Sequence, residues 1–249
     1  MRHRCGTSVR VLALTLLGAL AVSGCAPETI EPTGAITTET REIGEVNAVD
    51  LRCPAKVTLV PNSDPGVTIR ADKAAMRYLK TVESNGTLII SIEGGGQSIA
   101  VAPDVTIEVE VRASTFGGIR NTDSGSVGAQ TLDTDHLQIS SLGSGPVEIG
   151  RVTAIQITCE IAGSGNVSVD GGRVGAQDIR ITGSGSYLAP DLESGVVTVT
   201  ATGSGNVEVW ATEGLDVTGN GSGHVSYWGE PRLTEEATAS GKTKSLGPK

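Results

Sequence analysis

The stretch Cys159-Glu160-Ile161-Ala162-Gly163-Ser164-Gly165-Asn166-Val167-Ser168-Val169 decides how this chain is read. Apolar and polar residues alternate on both sides of a Gly-Ser-Gly corner, the period of two that a half-buried strand requires. The same corner stands at 143–145, 163–165, 183–185, 203–205 and 221–223, in steps of 20, 20, 20 and 18 residues. One step outside lie two degenerate copies, Asp123-Ser124-Gly125 and Ala239-Ser240-Gly241. Terminal repeats deviate because they face a cap or solvent instead of another repeat.

Counting outward from each corner gives the core. Four residues before its first glycine stand Ile139, Cys159, Ile179, Val199 and Val217. Four after it stand Val147, Val167, Tyr187, Val207 and Val225. Leu137, Ile157, Val197 and Leu215 lie six before, and Ile149, Val169, Val209 and Tyr227 six after. No repeat holds a helical stretch of the length a leucine-rich or helical solenoid needs. The expectation is an all-β chain folded as a right-handed parallel β-helix of about 20-residue coils, the hand following from the general bias of parallel crossovers. Coils spaced about 4.8 Å apart bring identical corners close together. Glycine is therefore expected there for its freedom at positive φ and for its missing Cβ. The intervening serines are expected to hydrogen-bond along the stack. Asn166 and Asn206 share a repeat position, but Pro146, Ser186 and His224 interrupt it, so no continuous Asn ladder is expected.

Residues 45–112 carry the same alternation without the corners. Asn85-Gly86 between two apolar runs is a two-residue hairpin signal, and Asp72 to Tyr78 reads as one helical turn. This β-rich N-terminal portion is expected to cover the open end of the repeat coils at 113–247, the two together forming one domain over 45–247.

The chain begins with a leader. Arg2, Arg4 and Arg10 precede the apolar run Val11 to Val22, which is too short to span a bilayer and suits a signal peptide. It ends in Val22-Ser23-Gly24-Cys25, which resembles a bacterial lipobox: cleavage after residue 24 and diacylglyceryl attachment to Cys25. Residues 25–44, with Pro, Thr and Glu and no clear period, read as the stalk of a lipid-anchored protein. Two cysteines then remain, Cys53 and Cys159, both at apolar positions of alternating runs and expected as buried free thiols.

Charge and composition exclude partner classes. The chain holds 19 basic and 28 acidic residues, a net charge of −9. Removing the leader takes away three arginines and leaves 16 against 28, a balance of −12. A nucleic-acid partner is not expected, since phosphate binding needs a basic face. An anionic lipid surface repels such a chain, so the acyl anchor must hold it at the membrane. Aromatics are 2% of the sequence, so the core is aliphatic.

Three features together resemble one family. They are the pattern Val57-Thr58-Leu59-Val60 … Val67-Thr68-Ile69 … Ser84-Asn85-Gly86-Thr87-Leu88-Ile89-Ile90, the recurring Gly-Ser-Gly-Asn, and the ending Tyr227-Trp228-Gly229-Glu230-Pro231 … Ala239-Ser240-Gly241-Lys242. Over about residues 40–247 the chain looks like the “putative auto-transporter adhesin, head GIN domain” proteins, bacterial lipoproteins of uncharacterised activity. The resemblance implies a β-helical, extracytoplasmic, non-catalytic module and brings no catalytic residue with it. The chain departs from the family at its last corner, where Ala239 stands in place of a glycine.

The residues themselves point away from catalysis. His136 and His224 fall at different repeat positions. Glu148 and Glu208 share a position three coils apart, about 14 Å at the stacking distance, beyond the carboxyl separations of either glycosidase class. Asp178 and Asp216 share another, two coils or about 10 Å apart, with Thr198 between them. Both pairs read as solvated charge, and Glu160 with Arg180 as a surface ion pair. No cofactor and no metal is expected. The sharpest local feature is Trp210 and Trp228, each seven residues after the first glycine of its corner, so that adjacent coils set one indole above the other. They form a ligand-binding strip if exposed, with Tyr227 turned toward the core; the alternative is that Leu233 to Leu246 folds back and covers them. A binding or adhesion module on the cell envelope, with a glycan or envelope protein as partner, is the leading functional reading. A fibre-forming structural protein and a carbohydrate-active β-helix enzyme are the alternatives. For the anchor, Cys25→Ser is expected to shift the protein from the membrane fraction to the soluble fraction; unchanged partition after ultracentrifugation rules the acyl anchor out.

Overall fold

The computed structural model describes residues 28–96, 98–237 and 241–249. The expected leader and Cys25 lie outside the described residues.

The chain winds into a β-solenoid of about six turns. Its stacking follows the repeat arithmetic. Val49, Ile119, Ile139, Cys159, Ile179, Val199 and Val217 lie in register, each stacked on the next. So do Val57, Val127, Val147, Val167, Tyr187, Val207 and Val225 on the other side of the corner. A third stack carries Leu132, Val152, Gly172 and Leu192. Each coil thus contributes three strand segments, and the buried side chains merge into one continuous hydrophobic core from Ile30 to Val225.

Among the buried polar groups, Asn121 and Gln177 interrupt the apolar stacks and are satisfied within them. Asn121, fully buried, donates from Nδ2 to the carbonyls of Gly125 at 2.6 Å and Gly145 at 3.2 Å. Gln177 stands in register between Ile157 and Val197, a position that is otherwise apolar. It accepts from the Tyr187 hydroxyl and donates to Ser194 Oγ, which itself donates to the Leu192 carbonyl at 3.0 Å. Burial without these partners would cost about 1–3 kcal/mol per group.

The corners show why glycine recurs, and the reason is narrower than expected. None of the Gly-Ser-Gly glycines has positive φ. A Cβ on Gly163, Gly183, Gly203 or Gly221 would instead lie 1.9–2.1 Å from the carbonyl oxygen of the matching glycine one coil earlier. That carbonyl is the acceptor of the stack: Gly163 O receives the N–H of Ser184 at 3.1 Å and of Gly185 at 3.2 Å. The serine's backbone N–H, and not its hydroxyl, makes the bond along the stack. A side-chain ladder does run beside the corners, with serine taking one asparagine's place. Asn166 Oδ1 accepts from Ser186 N–H, Ser186 Oγ from Asn206 N–H, and Asn206 Oδ1 from His224 N–H, at 2.9–3.0 Å.

The N-terminal portion is both first coil and cap. Strands Ala48–Arg52 and Lys56–Pro61 stack directly on Gly118–Asn121 and Ser126–Asp133, so the solenoid begins before residue 113. Thr87–Ile92 and Ile107–Ala113 add to them in parallel. The pairing then turns antiparallel, through Leu79–Ser84 on one side and Gly66–Asp72 followed by Ile36–Arg41 on the other. The Asn85-Gly86 turn joins Leu79–Ser84 to Thr87–Ile92 with φ of 50° and 75°, the two positive angles of a type I′ hairpin. The helical turn expected after Asp72 is Lys73–Met76. Within residues 25–44, the nine residues of Glu28–Ile30 and Ile36–Arg41 are paired strand.

Asp72 fastens this segment. Its carboxylate accepts from the N–H of Thr33 at 2.8 Å, Thr33 Oγ1 at 2.7 Å, the N–H of Gly34 at 3.0 Å and the N–H of Ala74 at 2.8 Å. The Ala74 bond, followed by the Thr33 and Gly34 bonds, holds the carboxyl below its ordinary 3.8.

The corner geometry makes a paired prediction. Gly183→Ala puts a methyl 2.1 Å from Gly163 O and 2.5 Å from Ala162 O, backbone atoms that move only with their whole coil. It is expected to cost about 3 kcal/mol, a fall in Tm of about 6–12 °C. At Gly128 the nearest atom would be 3.8 Å away. Gly128→Ala is therefore expected to leave Tm within about 4 °C of the parent, measured by differential scanning calorimetry.

Candidate functional site

The C-terminal coils bring the two tryptophans together. Val207–Gly219 and Val225–Trp228 pair in parallel with Trp210 opposite Trp228. Alternation sends Val207, Val209 and Val225 into the core and leaves Glu208 outside, while Tyr227 is half-buried against the core. Both indoles are half-buried at the corner that follows. Glu208 Oε1 accepts from Trp228 Nε1 at 3.1 Å, fixing the ring plane across one coil.

Their cover differs from both sequence alternatives. Within Leu233 to Leu246, the described strands join the stack. Arg232–Ala237 pairs with the Gly214–Gly219 stretch and Thr243–Gly247 with Val225–Trp228, so this segment adds a further coil. A register shift after Tyr227 sets Gly247 beside Trp228. Lys249 then reaches back across the corner, its Nζ 5.4 Å from the centre of the Trp210 ring and 5.2 Å from that of Trp228. The same ammonium donates to the Pro190 carbonyl and to Asp191 Oδ1. The strip is thus a clamp of two aromatic faces, a carbonyl and a carboxylate around one cation. Sequence reasoning missed Lys249 and Asp191: they lie 58 residues apart, and no local pattern connects them.

The remaining candidates do not converge. Asp178, Thr198 and Asp216 sit in register on the outer face, and Ser168 and Leu188 stand between Glu148 and Glu208. Glu160 and Arg180 are register neighbours but do not form the expected ion pair; Arg173 and Glu193, in register between the following two coils, do, at 2.7 Å. At the N-terminal end, nearly buried Asp50 pairs with Arg52 at 2.6 Å and faces Arg120 Nε at 3.7 Å. Among the described residues no group of three His, Cys, Asp or Glu is placed to hold a metal ion.

Cys53 and Cys159 are free and buried. Loss of hydration raises both thiols, Cys53 to about 12, with Asp123 adding to the effect there and Glu160 at Cys159.

Residues 45–231 match the family described as “Putative auto-transporter adhesin, head GIN domain”. The chain belongs to this family. The fold recurs in solved structures at low identity. A putative adhesin from Bacteroides fragilis superposes with a TM-score of 0.78 at 22% identity, covering 86% of this chain and 99% of that one. A putative adhesin from Parabacteroides merdae gives 0.70 at 17%, covering 88% and 99%. A protein from Parabacteroides distasonis described as a putative lipid binding protein gives 0.71 at 21%, covering 88% and 100%. No curated protein matches the chain.

The buried thiols give a direct check. In a Cys5→Ala, Cys25→Ser form at pH 8, Ellman's reagent is expected to find no reactive thiol in the folded protein and two after unfolding in guanidinium chloride. Rapid reaction in the native state contradicts this burial.

Proposed function

We propose that this chain is a lipid-anchored, extracytoplasmic binding module of adhesin type without catalytic activity, held to the membrane by an acyl group on Cys25. The order of basic segment, short apolar run, small residues and cysteine supports the anchor, and membership of an adhesin family supports an envelope location. The binding reading is carried by one observation: two indoles stand in register on successive coils of a rigid sheet, at a corner that still admits solvent. Large aromatic faces on a fixed scaffold bind with little loss of conformational entropy. In this reading Trp210 and Trp228 contact the ligand, with a glycan or an envelope protein as the partner class. The acidic chain accords with a partner other than nucleic acid.

The test uses the Cys25→Ser form, screened against immobilised glycans and envelope protein extracts. Trp210→Ala and Trp228→Ala are each expected to weaken capture at least about tenfold, the loss of a central aromatic contact, while Tm moves by less than about 4 °C. A large fall in Tm with capture intact shows the tryptophans to be structural and ends the assignment.

A further inference from the structure

The clamp around Lys249 has a definite chemical preference. A cation over an indole face is attracted by the ring quadrupole, the more so where water is partly excluded. Here one ammonium meets two such faces, and its N–H groups find the Pro190 carbonyl and the Asp191 carboxylate. Glu208, bonded to Trp228 Nε1, adds a second negative charge beside the rings. Across the whole chain the charge is −9. A neutral sugar stacked on the indoles would use the ring faces but would leave the carboxylate and the carbonyl without a cation.

The receiving groups are built without Lys249. Sheet register aligns the two tryptophans, Glu208 orients one ring, and Pro190 and Asp191 belong to the strand Tyr187–Ala201 of the coil beneath. Lys249 follows Pro248 and Gly247, and the Gly247 carbonyl takes the backbone bond from Gly229 N–H at 2.9 Å. Its ammonium therefore behaves as a tethered ligand in a preformed site, at an effective concentration in the millimolar range or above.

We propose that Trp210, Trp228, the Pro190 carbonyl and Asp191 form a receptor for the primary ammonium of a lysine side chain on a partner polypeptide, and that Lys249 occupies this receptor as an internal competitor. The proposal rests on the reading of the tryptophan pair as the contact face and names its ligand. A partner lysine displaces Lys249 and inherits its four contacts. Because the tethered competitor must be expelled, one lysine binds weakly, and a partner that presents several lysines gains by avidity.

Tryptophan fluorescence reports the site alone, since the sequence contains two tryptophans and both line it. The detergent-solubilised full chain is titrated with N-acetyl-lysine methylamide, with the uncharged N-acetyl-norleucine methylamide, and with methyl glucoside. The lysine probe is expected to give a saturable change in the parent chain. In Lys249→Met the apparent Kd is expected to fall about tenfold, because the competitor is gone. Asp191→Asn in that background should weaken the lysine probe several-fold, added salt should weaken it further, and the norleucine probe should give no saturable change. A Lys249→Met chain that keeps its parent Tm but shows no saturation with the lysine probe overturns the proposal. If methyl glucoside saturates instead, the tryptophans bind a neutral ligand and the ammonium assignment alone fails; if neither probe acts, the contact-face reading fails with it. Should Lys249→Met unfold, the parent titration decides between these outcomes.

Discussion

Everything in this solenoid depends on how closely its corners stack. The carbonyl of one glycine accepts two N–H groups from the next coil, at 3.1–3.2 Å for Gly163 and the Ser184-Gly185 pair. That bond geometry leaves no room for a Cβ: each first glycine's hypothetical methyl would sit about 2 Å from the oxygen below. The corners therefore act as spacers. Once they are set, strand stacks on either side fall into register without further adjustment, and the aliphatic residues four and six positions away meet their counterparts in neighbouring coils.

Polar interruptions are placed where this lattice can absorb them. Asn121 sits inside the first corners and supplies donors to two stacked glycine carbonyls. Gln177 breaks an apolar column but is matched by Tyr187 and Ser194 from the same region. Buried groups so satisfied cost little, whereas removing one partner leaves the others exposed to the full desolvation penalty. Outside the corners, the Asn166–Ser186–Asn206 ladder uses side-chain oxygens to receive N–H groups of the next coil. Serine serves here because the position needs an acceptor, not specifically an amide.

The two ends are managed differently. A stack of parallel strands exposes unpaired edges that invite association. At the N-terminal end the pairing turns antiparallel and finishes on Ile36–Arg41 and Leu79–Ser84, strands with charged and hydroxyl side chains. Arg41 spans the two, donating to the Leu79 carbonyl at 3.3 Å and to Thr81 Oγ1 at 3.0 Å. At the C-terminal end the chain adds one more coil and then directs Lys249 onto the tryptophan pair. The same coil that completes the stack thus carries the group that fills the candidate site.

By itself the sequence determined the solenoid. A corner repeated every 18–20 residues with a period of two around it is local information, so the stacks, the Asn85-Gly86 hairpin, the buried Cys53 and Cys159 and the adjacency of Trp210 and Trp228 could be read from spacing. Glycine's reason for being there could not: absence of space and freedom of φ select the same residue, and only the stacked backbone shows that space decides. The docking of residues 28–41 was hidden for a related cause. Ile36–Arg41 has a single exposed isoleucine and no alternation, and it is held by Asp72, 39 residues from Thr33. The clamp was hidden most completely. Its tryptophans are fixed by the repeat, but its cation comes from Lys249, beyond the repeats, and its carboxylate from a coil below, and no repeat spacing encodes where a segment outside the repeat turns back in space.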